Sequence, residues 1–262
     1  MKKVFALLMA LVMALGLTAC GRSAKPAKKT ELIVFAAASM TETLTEIETK
    51  YEAAHGDIDL VFTFDSSGTL KTQIAEGAPC DVFISAAPKQ MNQLEELNLV
   101  LLGSRIDLLE NKVALCVAEG NPANINSYDD LAKALQAGTV LLAVGNGDVP
   151  VGQYTQKIFA YYDLNEEALT SCLTYGSNVK EVTTAVTEAT ADCGIIYATD
   201  AFSAGLTPVD TATAEMCGRV TYPAAVLNIS NHQEEAQAFL DYLTGEEASA
   251  IFEAVGFTPL NK

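Results

Sequence analysis

A chain of 262 residues, half of them apolar and with a formal charge of −17, is long enough to bury a substantial core in one large domain or two small ones. The acidic balance excludes a nucleic-acid partner, which needs clustered Lys and Arg. It also means that any anion bound here is held by local dipoles and not by the overall field.

Lys2 and Lys3 precede an apolar run from Val4 to Leu17, and Thr18-Ala19-Cys20-Gly21 follows. Basic residues, a run of this length and small residues after it predict a secretory leader over residues 1–19, too short to span a bilayer comfortably. The string LTAC resembles a bacterial lipobox, which implies that Cys20 is lipidated and starts the mature chain. Several acyl chains on one cysteine hold a soluble domain at a membrane, where one alone is marginal. Residues 20–30 are then the lipidated cysteine and a basic, patternless tether.

Beyond the tether, strands alternate with helices. LIVFAA (residues 32–37) predicts a strand that ends in small residues and hands over to a helix opening at Ser39. Met40, Leu44, Ile47, Tyr51 and Ala54 recur at helical spacing, and Ser39 with Glu42 reads as a capping box. Leu60–Phe64 is a second strand, followed by Asp65-Ser66-Ser67-Gly68 and a helix from Thr69 that Gly77 and Pro79 end. Residues 80–87 form a third strand, and Pro88 opens the next helix. The strand KVALCVA comes next, then a helix from the Ser127 cap to Gly138, then the strand TVLLAVG. Helices are predicted over 152–162, 166–173 and 179–191, a strand over 194–197, and two helices in the tail. This alternation implies mostly parallel sheets flanked by helices, with ligands held at the carboxyl ends of strands.

Ser39 and Ser67 each follow a strand and precede a helix. Either alone reads as a cap; together, in consecutive strand–helix units, they suggest two hydroxyls converging on one ligand. Helix starts at 150–152 and 178–180 offer the amides of Val151 and Gly152, and of Val179 and Lys180, at the positive ends of helix dipoles. Tyr197 ends a strand, where it either presents its phenol to a cleft or packs in the core.

Enzyme readings find little. Neither serine stands in a G-x-S-x-G elbow, and His55 and His232 lie in polar, turn-like stretches that solvate them. Tyr161-Tyr162, at a helix end, are read as packing residues. Apart from Cys20 there are five cysteines without C-x-x-C spacing, mostly in apolar runs such as ALCVA. Buried free thiols are expected, and no cation site.

VFAAASM, FDSSGTLKTQIAEGAPCDVFISA, LAVGNGDVPVGQY, GIIYATDA and EASAIFEAVGFTPL together resemble the periplasmic molybdate-binding proteins of ABC importers, in the type II periplasmic-binding-protein superfamily. The resemblance spans nearly all of residues 31–260. It implies a two-lobed α/β fold: residues 31–112 with 223–262 form lobe 1, residues 113–222 form lobe 2, and crossovers lie near Lys112 and Tyr222. Ser39 and Ser67 are implied as side-chain and backbone donors from lobe 1. Val151 and Val179 are implied as amide donors from lobe 2, and Tyr197 as a hydroxyl donor. The implied ligand is molybdate, and tungstate by its likeness in size and charge. No cofactor and no catalysis are implied. The implied partners are an ABC permease and its ATPase, with the protein a monomer on the extracytoplasmic face of the cell membrane. Roughly seven neutral donors, each charge-assisted bond contributing about 1.5–3 kcal/mol, suffice for sub-micromolar binding.

Asp65 departs from the family pattern, which has a small neutral residue there. Facing the ligand it would repel a dianion or accept the proton of hydrogen phosphate; facing away, the favoured reading, it is a turn or cap residue. Sulfate or phosphate on the same fold, or a sensory oxyanion-binding module, are the alternatives.

Overall fold

Strand β1 (Thr30–Ala37) is the spine of the first lobe, and its buried Leu32, Val34 and Ala36 alternate toward the core as a strand's period of two requires. The computed structural model describes residues 29–261, so the leader, Cys20 and most of the tether lie outside the described residues. A single 3₁₀ turn (Ala38–Met40) joins β1 to α1 (Thr41–Ala54), and turn and helix together bury Met40, Leu44, Ile47 and Tyr51. Each such side chain contributes about 1.5–3 kcal/mol of transfer free energy. Ala54, expected on that face, is exposed.

The predicted capping box is not formed. Met40 holds the N-cap position of α1 without a side-chain bond, because the 3₁₀ turn moves the helix start two residues past Ser39. Likewise Ser66, not Ser67, caps α2 (Ser67–Ala75), its Oγ accepting from the Thr69 amide at 3.1 Å.

The first lobe continues through β2 (Ile58–Asp65), β3 (Val82–Ile84), α3 (Pro88–Glu96) and β4 (Ile106–Asn111). Lys112 alone separates β4 from β5 (Val113–Val117), the first strand of the second lobe. There follow α4 (Tyr128–Ala137), β6 (Leu142–Gly145), α5 (Pro150–Tyr161), β7 (Leu173–Gly176), α6 (Val179–Thr187), β8 (Cys193–Tyr197), α7 (Ala198–Ser203), β9 (Asp210–Thr211) and α8 (Ala214–Cys217). The chain returns in β10 (Val220–Val226), which lies in the first lobe's sheet from Val220 onward, and ends with α9 (Gln233–Leu243), α10 (Glu246–Ala254) and β11 (Thr258–Pro259). The segment expected as a helix over 166–173 is a 3₁₀ helix, Glu166–Cys172, and Leu173 already belongs to β7.

Two sheets result, ordered β11-β4-β10-β3-β1-β2 and β7-β6-β8-β5-β9. The pairs β1–β2, β1–β3, β6–β7 and β6–β8 are parallel. The crossover strands and β11 add antiparallel pairs, so each sheet is mixed and not mostly parallel as expected: β10 runs against β3 and β4, β11 against β4, and β5 against β8 and β9. Helices flank both sheets, and the two-lobed α/β plan expected from the sequence is the one observed. Cys80, Cys116, Cys172, Cys193 and Cys217 are free and buried, as expected. Among the described residues no helix is long and apolar enough to cross a membrane.

Candidate functional site

Parallel pairing in register puts the ends of neighbouring strands side by side. Ala37, the last residue of β1, pairs with Asp65, the last of β2, so the turns carrying Ser39 and Ser67 are neighbours. In the second lobe Gly145 pairs with Gly176, which brings the starts of α5 and α6 together. Tyr197, at the end of β8, pairs with Val113, beside the crossover between lobes. The two groups of junctions face each other across the cleft. Ser39, Ser67, Val151, Val179 and Tyr197, all five predicted positions, line one small cavity, with Ala37, Ala38, Asp65, Ser66, Ala86, Val149 and Pro150 completing its wall. Its volume of about 10 Å³, room for roughly one water-sized group, is far below the roughly 300–1,000 Å³ of pockets for drug-sized ligands.

The donors at this cavity follow from how each helix starts. Pro150 opens α5 and has no N–H, so Val151 supplies its first amide. The Asn178 side chain caps α6 by accepting from the Glu181 amide at 3.1 Å, which leaves the first-turn amides of Val179 and Lys180 without an intrahelical acceptor. Ser67 Oγ accepts from the Ala86 amide at 3.0 Å, and its own proton is therefore free to donate. Ser39 Oγ lies 2.9 Å from Tyr222 Oη. Tyr197 is 1 % exposed and its Oη is a buried polar atom without a hydrogen-bond partner. Its phenol approaches that of Tyr222 but lacks bonding geometry, and burial first, then that neighbour, hold it protonated well above the usual tyrosine range. An orphaned phenol in a cavity wall is a donor awaiting an acceptor.

No Lys, Arg or His lines the cavity, and Asp65 is its one carboxylate. Asp65 Oδ1 turns back to accept from the Ser66 amide at 2.6 Å, the turn role favoured from sequence, while the residue remains part of the wall. The two serine hydroxyls have no histidine partner: His55 bonds the Tyr51 carbonyl and stacks on its ring, far along α1. Tyr162 packs edge-on against Tyr161 and donates to Asp129, while Tyr161, expected to pack, is about half exposed. Sequence reasoning missed Ser66 as the cap, although Ser66-x-x-Thr69 carries that signal. It also missed Ala86, Asn111 and the side-chain role of Tyr222, for which no local signal exists.

Contacts between the lobes frame the cavity. An ideal Cβ on Gly68 of α2 would lie 2.2 Å from the Asp148 carbonyl oxygen in lobe 2, so only glycine allows that approach. Lys180 of α6 reaches Glu42 of α1 on one side of the cleft. Grooves between the lobes also carry Lys71, Lys89 and Lys157, positive charges in an acidic protein.

The sequence pattern of the family described as bacterial extracellular solute-binding protein matches residues 32–258. The molybdate-binding protein ModA of Escherichia coli (strain K12) is 34% identical over 237 residues, covering 87% of this chain and 89% of that one. A Bacillus subtilis (strain 168) protein, YvgL, named for a substrate-binding lipoprotein of an ABC transporter, is 31% identical over 255 residues, 97% of this chain and 96% of its own. Among solved structures the periplasmic molybdate-binding protein of Azotobacter vinelandii superposes with a TM-score of 0.76 at 21% identity, over 87% of this chain and 98% of that chain, a likeness of fold. A match from the first strand to the last, with relatives above 30% identity over nearly the full length, leads to one assignment: the chain belongs to the bacterial extracellular solute-binding protein family.

Proposed function

We propose that this protein captures molybdate, and tungstate with it, between its two lobes and delivers the ion to an ABC permease and its ATPase. The observation that carries the reading is the composition of the cavity wall: hydroxyls from Ser39, Ser67 and Tyr197 and helix-start amides at Val151 and Val179, with no cation among them. Such a wall stabilises negative charge with fixed dipoles and leaves no unpaired cation when the lobes separate. The likeness to molybdate-binding relatives supports the choice of ion. Ligand closes the lobes by hinge motion about the crossovers at Lys112 and before Val220. The role is binding and not catalysis, since neither serine is paired with a base.

The place of work in this reading is the extracytoplasmic face of the membrane. The leader at residues 1–19 is removed, and acyl chains on Cys20 anchor a monomeric domain through its tether; the lipoprotein name of the Bacillus subtilis relative supports this.

Calorimetric titration of the exported protein with molybdate, tungstate, sulfate and phosphate in parallel tests the proposal. The expected result is tight binding of the first two, weak binding of sulfate and no detectable phosphate binding. Tight phosphate binding with none of molybdate overturns it.

A further inference from the structure

A chain of buried polar groups runs from the crossover between the lobes to the hydroxyl of Ser39. It begins at Asn111, the last residue of β4. The Lys112 backbone N–H, which can only donate, bonds Asn111 Oδ1 at 2.8 Å. That fixes the carboxamide: Oδ1 accepts and Nδ2 donates. The two Nδ2 protons go to Thr199 Oγ1 at 2.9 Å and Tyr222 Oη at 3.2 Å. Tyr222 Oη, having accepted, keeps one proton of its own; the Tyr197 phenol nearby lies outside bonding geometry, and the partner that remains is Ser39 Oγ at 2.9 Å. Asn111, Thr199, Tyr222 and Ser39 are all buried, and burial holds the Tyr222 phenol protonated. Were Ser39 the donor of that bond, the Tyr222 O–H would be a buried donor without an acceptor, at a cost of about 1–3 kcal/mol. The bond therefore runs from Tyr222 to Ser39. Ser39, with its lone pair engaged, has its own proton left for the cavity it lines.

We infer that Asn111 and Tyr222 are positioning residues that fix the direction of hydrogen bonding at Ser39, so that its hydroxyl presents a proton to the bound oxyanion. The inference rests on the oxyanion reading above. It adds a basis for selectivity: a hydroxyl held as a donor donates to a bare oxyanion oxygen and disfavours a protonated one. It also ties the ligand-facing proton to the crossover, since Asn111 adjoins Lys112 and its second proton reaches into lobe 2 at Thr199 of α7.

A double-mutant cycle tests it. Wild type, Ser39→Ala, Tyr222→Phe and the double variant of the exported protein are titrated with molybdate at neutral pH. Tyr222→Phe should weaken binding roughly 5- to 20-fold when Ser39 is present, and by less than about 2-fold in the Ser39→Ala background, because the effect passes through that hydroxyl. A structural role would give the same loss in both backgrounds, and that outcome, or wild-type affinity in Tyr222→Phe, overturns the inference. Asn111→Ala in the same cycle gives a second reading should Tyr222→Phe not fold. Without the amide donor, Tyr222 Oη is free to accept from Ser39, so binding should weaken only where Ser39 is present. Absence of oxyanion binding by the wild-type protein would overturn the oxyanion reading and this inference together; wild-type binding without coupling overturns this inference alone.

Discussion

Lys180 in α6 places its ammonium 2.8 Å from both carboxylate oxygens of Glu42 in α1, spanning the gap between the lobes, and 3.3 Å from the buried carboxylate of Asp200 in α7. The Glu42 pair is largely exposed, so it contributes no more than about 1 kcal/mol to closure. The Asp200 pair matters more to the second lobe, because it compensates a charge that is 1 % exposed. Lys180→Met is expected to weaken molybdate binding a few-fold, roughly 1 kcal/mol or less, while lowering the urea midpoint more at pH 8 than at pH 5. Equal loss of stability at both pH values would show that Asp200 does not depend on Lys180.

Burial pushes the Asp200 carboxyl up from its ordinary 3.8 to about 6, against the lowering influence of Lys180 and with a smaller raising one from Glu42. A carboxyl raised by folding favours the native state in its protonated form. That contribution is complete below about pH 4 and is lost as pH rises through about 6. Asp200→Asn should therefore gain on wild type between pH 4 and pH 7, by up to about 3 kcal/mol. Urea unfolding of both proteins across that range measures the difference, and a constant gap would contradict the burial argument.

Gly68 and Asp148 meet so closely that a methyl group on Gly68 collides with the Asp148 carbonyl. The contact exists only with the lobes together, so Gly68→Ala should weaken molybdate binding at least 10-fold while leaving the ligand-free melting temperature within a few degrees of wild type. Gly152→Ala is the contrast: its added carbon meets Asn146 and Gly145 backbone oxygens within lobe 2, at 2.2 and 2.3 Å, and should destabilise the ligand-free protein.

Ser67→Ala removes a hydroxyl proposed to donate to the ligand and also the acceptor of the buried Ala86 amide. Binding should weaken by roughly 1–3 kcal/mol, with a loss of stability of similar size from the orphaned N–H. Affinity equal to wild type, with only the melting temperature lowered, would reduce Ser67 to a structural role.

Asp65 places a charge in the wall of a cavity assigned to a dianion, although its carboxylate is folded onto the Ser66 amide. Asp65→Asn keeps an oxygen for that amide and removes the charge, so molybdate should bind roughly 5-fold more tightly, about 1 kcal/mol. Calorimetry of the variant with molybdate and phosphate decides the matter: phosphate binding lost on substitution would mean that Asp65 serves as a proton acceptor for the ligand.

The sequence by itself determined where the donors arise. A strand ending in small residues and passing into a helix leaves free amides at the turn, and Ala37–Ser39, Asp65–Ser67, Pro150–Val151 and Asn178–Val179 are legible as such turns without any partner. The elements it concealed are those whose existence depends on distant pairing. β4 is a short run, IDLLEN, held between β10 and β11. β10 contains Pro223, which a central strand accommodates only at the bulge found between Tyr222 and Pro223.

Tertiary structure alone decided which turns meet. The register of β1 on β2 and of β6 on β7 sets Ser39 beside Ser67 and Val151 beside Val179, and the crossovers bring the two pairs together around Tyr197. It also decided what each serine does. One turn of 3₁₀ helix released Ser39 from capping and set its hydroxyl against that of Tyr222, 183 residues away along the chain. Local sequence encodes an unpaired amide because that follows from the few residues of one turn, but the direction of a hydroxyl's hydrogen bond depends on every group packed around it.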